Sequence, residues 1–105
     1  MTMKHIALAD VRWKVIGPGV ERGELRPIKL GAGAALLRFA KGSYTGAHRH
    51  PGGEELVVLS GRLRIGDRIL EPGAYLYTPP EGVNDAEAYE DSIVFQYQPE
   101  PAELL

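Results

Sequence analysis

Apolar residues occur in short runs along the chain, and no long stretch repeats them with the period of a helix. The runs are rich in Val, Ile, Leu, Tyr and Phe, recur about every ten residues, and are separated by glycine and proline. Clear examples are ELVVLSG, RLRIGDRIL, AYLYTPP and SIVFQYQP. Short strands at this spacing, bounded by turn-forming residues, are typical of an antiparallel sandwich or barrel. The pattern therefore predicts an all-β domain.

Turn-forming residues mark the boundaries of the predicted strands. Ser60-Gly61 and Gly66-Asp67 suit tight turns, because glycine adopts positive φ values without steric cost. These two turns predict that residues 55–70 fold as a meander of adjacent strands. Pro72-Gly73 and Pro79-Pro80 predict strand boundaries or edges, because proline cannot donate a hydrogen bond to a sheet.

The chain of 105 residues is long enough for one hydrophobic core, so we expect a single domain over residues 1–105. Its core is predicted over about residues 13–97. The last residues, 98–105, carry two prolines and two glutamates and predict a flexible tail, whose two leucines could dock on a neighbour. Apolar residues make up 44% and charged residues 25%, which is typical of a globular protein and excludes a disordered one.

Charge and hydropathy limit the partners of the chain. The net charge of −2 provides no basic surface, so we expect no nucleic-acid partner. No apolar run approaches membrane-spanning length, and the N-terminus lacks the apolar core of a signal peptide. We therefore expect no membrane association and a cytoplasmic location.

The stretch HRHPGGEE carries the strongest candidate chemistry. His48 and His50 are two residues apart, so in a strand their side chains point to the same face. The following Pro-Gly-Gly gives the backbone the freedom to turn, which would bring Glu54 back towards the two imidazoles. Because the chain has no cysteine, any metal must be held by nitrogen and oxygen. Two imidazoles and a carboxylate suit a divalent ion such as Zn, Fe, Mn or Ni.

An exposed polar loop is the competing interpretation of the two histidines, and the Gly-Gly-Glu and the apolar strand behind it favour the metal site. The third histidine, His5, lies far upstream and is expected on the surface. Glu55 is expected to point away from Glu54, to the opposite face of its strand. Two aromatic sets could pack in the core or line a cavity: Tyr75 and Tyr77, and Ile93, Phe95 and Tyr97.

The spacing G-x5-H-x-H-x3-E-x6-G resembles the first signature motif of the cupins. It is carried by Gly42, His48, His50, Glu54 and Gly61. More narrowly, PGVERGEL, ALLRFAKG, HRHPGGEELVVLSG and PGAYLYTPP resemble the ChrR-like cupins, which include the zinc-binding C-terminal domain of ChrR-type anti-sigma factors. The resemblance runs from about Trp13 to Tyr97. It implies a jelly-roll barrel, also called a double-stranded β-helix, with a metal inside.

The chain departs from the family pattern in the second motif. Counting from Pro79-Pro80, Asn84 stands where the family has its last metal-binding histidine. The resemblance therefore implies the ligand set His48, His50, Glu54 and Asn84. Asn84 could bind the metal through its carbonyl oxygen, hold a water molecule, or mark a site that has lost its metal. Asp85 could take its place if the turn is shifted by one residue.

Three functions remain open at this point, and no catalytic residue is assigned. The first is a metal-dependent enzyme acting on a small molecule, with dioxygenase-type chemistry as one form. The second is a non-catalytic module that senses a metal or ligand, and the third is a cupin with a vestigial site. In ChrR-type proteins a helical segment that grips a sigma factor precedes the cupin, and this chain begins at the cupin, so we expect no stand-alone anti-sigma role. We expect a homodimer, formed through sheet edges or by exchange of the N-terminal segment KHIALADVRW.

Overall fold

The computed structural model describes residues 2–105, which form eleven strands and one short 3-10 helix. The helix is Leu8–Asp10, and no helix in the described range is long enough to cross a membrane. The strands are β1 Trp13–Gly17, β2 Val20–Lys29, β3 Ala32–Phe39, β4 Tyr44–His50, β5 Glu54–Ser60, β6 Leu63–Ile65, β7 Arg68–Leu70, β8 Tyr75–Thr78, β9 Gly82–Ala88, β10 Ser92–Gln98 and β11 Glu103–Leu104.

The strands form two antiparallel sheets that face each other across the core. The first sheet has the order β1-β2-β3-β10-β5-β8, and the second has the order β11-β4-β9-β6-β7. From β3 onwards most connections cross from one sheet to the other, which is the winding of a jelly roll. The prediction of an all-β jelly-roll barrel is confirmed.

The core lies between the inner faces of the two sheets. Alternation along β10 is regular, with every second residue from Ser92 to Gln98 buried. Val94 on β10, Val58 on β5 and Leu63 on β6 are almost fully buried and bring both sheets into one apolar cluster. Further members of the cluster come from β2, β3, β7 and β9.

The prediction of a meander over residues 55–70 is wrong in its first half. β6 and β7 form the expected hairpin around Gly66-Asp67, but β5 pairs with β8 and β10, whereas β6 pairs with β9. Gly61 therefore lies in a crossover between sheets. A Cβ atom at this position would collide with Asp91 and Ser92, and its φ is +87°. Glycine is needed there for a close approach between chain segments as well as for a turn.

Residues near the C-terminus contact the second sheet. Glu103–Leu104 pairs with β4 as strand β11, and the amide of Leu105 donates to the carbonyl oxygen of Ala47 at 3.0 Å. An ion pair between Arg49 and Glu103 accompanies this pairing. Part of the tail predicted to be flexible is therefore paired with a strand, and its mobility stays a prediction.

A cluster of polar side chains joins β4, β9 and β6 on the outer face of the second sheet. The carboxylate of Asp85 accepts hydrogen bonds from Tyr44 Oη at 2.8 Å and from Arg64 Nη1 at 2.9 Å. These two donors, Arg64 above all, lower the pKa of Asp85 below its ordinary value. The charged form of Asp85 therefore stabilises the folded sheet.

We expect Asp85→Asn to lower the melting temperature at neutral pH, because the variant loses the ionic contact with Arg64. The contribution of a carboxylate with a lowered pKa is present above its unfolded pKa of about 3.9 and is lost as the pH falls through its folded pKa. The melting temperatures of the two proteins should therefore converge below about pH 4. Thermal denaturation followed by circular dichroism from pH 7 to pH 3 measures this. A difference that stays constant over this range would contradict it.

Candidate functional site

A cavity of about 130 Å³ lies between the sheets. Most of its wall is apolar and includes Leu37, Phe39, Leu56 and Val94, while its polar side chains come from strands on both sheets. These polar residues are Arg22, Thr45, His48, His50, Glu54, Asn84, Gln96 and Gln98. Ile16 also lines the cavity and is 53% exposed, so the cavity reaches the protein surface.

Three of the predicted site residues come from neighbouring strands of the second sheet. His48 and His50 lie on β4 and Asn84 lies on β9, directly across from His48 in the pairing register. Paired residues in an antiparallel sheet project to the same side, and so do residues two apart in one strand. The structure therefore brings all three to one cavity, in agreement with the spacing argument.

Glu54 reaches the cavity from the first sheet, where it opens β5. The turn between β4 and β5 is closed by a hydrogen bond from the Gly53 amide to the His50 carbonyl oxygen at 3.0 Å. Gly53 has a φ of +81°, and a Cβ atom there would lie 2.9 Å from the Thr78 carbonyl oxygen. This position therefore requires glycine, and the turn carries the chain from one sheet to the other and returns Glu54 towards His50.

The ring orientation of His50 is set by Gln98. The side-chain amide of Gln98 donates from Nε2 to the Gly31 carbonyl oxygen at 2.6 Å, which leaves its Oε1 as an acceptor. His50 Nδ1 lies 3.3 Å from this Oε1. The hydrogen-bond network therefore assigns the proton to Nδ1, and the lone pair of the neutral imidazole to Nε2.

Two oxygen atoms lie close to His50 Nε2, so three electron-pair donors face one another. The Oδ1 atom of Asn84 lies 3.4 Å from Nε2, and the Oε1 atom of Glu54 lies 3.6 Å from it. The NH₂ group of Asn84 donates to Thr78 Oγ1 at 3.1 Å and faces Glu54 Oε1 at 3.5 Å, and turning it to the imidazole would place the Asn84 carbonyl oxygen against the Glu54 carboxylate. With the proton of His50 on Nδ1, no hydrogen atom lies between Nε2 and either oxygen atom. Such a convergence is satisfied by a cation.

The carboxylate of Glu54 is buried and held from its other side. It is 5% exposed, and its Oε2 atom accepts a hydrogen bond from Gln96 Nε2 at 2.6 Å. Asn84 Nδ2 lies 3.5 Å from Oε1, at the limit of a hydrogen bond. Gln96 therefore fixes the orientation of the Glu54 carboxylate, and the Oε1 atom of Glu54 faces His50.

His48 lines the cavity without joining this cluster. Within residues 2–105, no three His, Cys, Asp or Glu side chains lie close enough together to hold one metal ion as they stand. His50 and Glu54 are a close pair, and the third nearby donor is the amide of Asn84. Of the four ligands predicted from the sequence, the structure therefore groups three and leaves His48 on the adjoining wall.

The other candidates from the sequence lie outside the cavity. His5 is in the exposed N-terminal segment, and Asp85 points to the outer face, where it contacts Arg64 and Tyr44. Glu55 also points outward, as expected, and accepts a hydrogen bond from Tyr75 at 2.7 Å. Asp85 is therefore not in a position to replace Asn84.

Neither aromatic set lines the cavity. Tyr75 and Tyr77 are more than half exposed. On β10 the opposite face is turned inward, so the cavity is lined by Val94, Gln96 and Gln98 instead of Ile93, Phe95 and Tyr97. Sequence reasoning missed the two glutamines and Arg22. The signal for the glutamines was that Val94, Gln96 and Gln98 follow one another at intervals of two residues, which places all three on one face of a strand.

The chain is similar to known proteins in sequence and in structure. A curated relative, the DNA damage-repair/toleration protein DRT102 of Arabidopsis thaliana, is 30% identical over 79 residues, which cover 70% of this chain and 26% of the relative. The chain thus spans about a quarter of the length of that protein.

Two solved structures share the fold. The anti-sigma factor ChrR, in complex with SigE of Rhodobacter sphaeroides, is 28% identical with a TM-score of 0.75, over 92% of this chain and 51% of that one. A candidate acetylacetone dioxygenase of Methylibium petroleiphilum PM1 is 18% identical with a TM-score of 0.82, over 100% of this chain and 82% of that one. The ChrR cupin-like domain matches residues 1–101 of this sequence. The chain therefore belongs to the ChrR cupin-like domain family.

Proposed function

We propose that the cavity binds a divalent metal ion and that the protein uses this ion to act on a small molecule. The ligands would be His50, Glu54 and Asn84, with His48 as the fourth. The observation that carries the proposal is the convergence of His50 Nε2, Asn84 Oδ1 and Glu54 Oε1, all acceptors, at 3.4 and 3.6 Å from the imidazole nitrogen.

The donor set fits a first-row ion. Ligand atoms bonded at about 2.0–2.2 Å lie roughly 2.8–3.6 Å apart in tetrahedral or octahedral spheres, and the separations from His50 Nε2 fall in this range. Gln98 and Gln96 supply the outer contacts, because metal-binding histidines and carboxylates are ordinarily oriented by such hydrogen bonds. Nitrogen and oxygen donors suit Zn, Fe, Mn or Ni.

Binding by His48 requires its side chain to turn from the cavity wall towards His50. His48 lies directly opposite Asn84 in the strand pairing and is half-buried, and we expect a change of its rotamer to bring the ring to the ion. Asn84 contributes a neutral amide where the family pattern has a histidine, which lowers affinity for nitrogen-preferring ions. The proposed site is therefore a weaker one than a set of three histidines and one carboxylate.

The chain's own residues suit chemistry on a small molecule. When bound, the ion supplies Lewis acidity at its open positions. The buried carboxylate of Glu54 would offset part of its charge, and the apolar wall would pack against the body of a small molecule. An enzyme needs a cavity that solvent and substrate reach, and the half-exposed Ile16 at the cavity wall favours that function over a closed sensor site.

Two alternatives follow from the comparisons. The likeness to a candidate acetylacetone dioxygenase supports dioxygenase-type chemistry as one form of the proposed activity. The likeness to ChrR supports a sensing role instead, in which metal or ligand binding changes a contact with another protein. A closed coordination shell would favour sensing, and an ion with open positions would favour catalysis.

We also propose that the protein forms a homodimer through the edge strand β1. This strand pairs on one side only, with β2, and Val15 on it is 69% exposed. Unpaired edges with exposed apolar residues favour pairing with a second chain. In the adjoining N-terminal segment, Val11 packs over Gly23 of β2.

The metal proposal predicts that Glu54→Gln lowers the affinity for Co²⁺ at least about tenfold, because the neutral amide removes a charged ligand. Isothermal titration calorimetry and the visible absorption of Co²⁺ measure it. The matched control is Glu55→Gln, which makes the same change one residue away on the outer face of β5 and should leave the affinity unchanged. Wild-type protein that takes up no Co²⁺, or equal affinities for the two variants, would contradict the proposal.

The dimer proposal predicts that Val15→Lys converts the protein to a monomer, because it places charge on the edge that would pair. Light scattering coupled to gel filtration measures the mass. Val83→Lys is the control, since Val83 is 55% exposed on the interior strand β9. A wild-type monomer, or a Val15→Lys dimer, would reject this interface.

A further inference from the structure

Arg22 brings a positive charge to the cavity wall at a position that the metal proposal does not use. It lies on β2, two residues from the buried Val20, and both residues line the cavity. Its pairing partner on β3 is Leu37, which lines the same cavity. The Arg22 side chain is 13% exposed, so its guanidinium is largely removed from solvent.

One edge of this guanidinium has no partner. The Nε and Nη2 atoms of Arg22 are buried and make no hydrogen bond to any of residues 2–105. The remaining nitrogen, Nη1, lies 3.6 Å from the half-exposed carboxylate of Glu24. Nε and Nη2 lie on the same edge of the planar group and form the fork that holds the two oxygens of a carboxylate. A buried charged donor without a partner is costly, so an anion that fills the fork binds favourably.

Glu54 does not serve as that anion. Its Oε2 atom is held by Gln96 and its Oε1 atom faces His50. The cavity wall therefore carries the guanidinium of Arg22, one edge of which has no partner, whereas the carboxylate of Glu54 already contacts Gln96 and His50. A divalent ion beside Glu54 would add positive charge and increase the preference for an anionic ligand.

We propose that the cavity binds a small monocarboxylate, whose two oxygens accept hydrogen bonds from Nε and Nη2 of Arg22 once a change of rotamer turns this buried edge to the cavity. This inference rests on the proposed function, because it names the class of small molecule that the same cavity takes. The volume of about 130 Å³ is close to that of an engineered cavity, about 150 Å³, that holds benzene. The apolar wall formed by Leu37, Phe39 and Val94 suits a short hydrocarbon body. The ligand is therefore a carboxylate of about six heavy atoms.

The test compares butyrate with butyramide, which has nearly the same shape and no charge. Binding is measured by isothermal titration calorimetry at matched ionic strength, with wild-type protein and with Arg22→Met. Arg26→Met is the control, because Arg26 lies on the same strand and is exposed. We expect Arg22→Met, and equally the change to butyramide, to weaken binding about ten- to a hundredfold, and Arg26→Met to leave it unchanged. Arg22→Lys, which keeps the charge and loses the fork, should give an intermediate loss.

Equal butyrate affinity for Arg22→Met and wild type, or equal affinity of wild type for butyrate and butyramide, would overturn the inference. So would the absence of saturable butyrate binding to the wild-type protein. Co²⁺ titration of Arg22→Met separates this result from the metal proposal: retained Co²⁺ binding with lost butyrate binding supports both. Butyrate binding that depends on Arg22 in a protein that takes up no Co²⁺ supports the carboxylate site and rejects the metal.

Discussion

A hydrogen bond from Gln98 to the Gly31 carbonyl oxygen determines the chemistry of the cavity. It fixes which end of the Gln98 amide faces His50, and thereby places the imidazole proton on Nδ1. The Nε2 lone pair is then directed at Asn84 and Glu54. If the Gln98 amide were reversed, His50 Nε2 would carry the proton and the three groups would satisfy one another. The metal proposal therefore depends on a contact with the backbone of the β2–β3 turn, which is distant in sequence from both motifs.

The jelly roll makes this arrangement possible because its strands alternate between sheets. The Gly53 turn carries the chain from β4 to β5, so residues four apart in sequence approach each other from facing sheets. Arg22 reaches the cavity from β2, in the same sheet as Glu54. The cavity thus combines a polar cluster suited to a cation with a fork suited to an anion, between apolar walls. A ligand that carries a carboxylate on a short apolar body satisfies the fork and the apolar walls, and a divalent ion would satisfy the polar cluster.

Local patterns in the sequence predicted the strands, the hairpin at Gly66-Asp67 and the meeting of His48, His50 and Glu54 at one cavity. They did not predict the crossover at Gly61, because glycine suits a hairpin and a crossover equally and strand pairing depends on distant segments. Alternation along β10 defined two faces without showing which one is inward. Hydrophobicity favoured Ile93, Phe95 and Tyr97, whereas the inward face carries Gln96 and Gln98, which contact the buried Glu54 and His50 in a mostly apolar cavity. Arg22 lies in a stretch of alternating charges that is typical of a solvated strand.

The most direct measurement is long-range ¹H–¹⁵N nuclear magnetic resonance of the His50 ring, before and after addition of Zn²⁺. It shows which nitrogen of His50 carries the proton, and it also detects Zn²⁺ binding at Nε2. We expect a neutral ring protonated at Nδ1 in the metal-free protein, and a change in the Nε2 shift that saturates with Zn²⁺ while the Nδ1 proton remains. A ring protonated at Nε2 that keeps this proton in excess Zn²⁺ would contradict the proposed metal site.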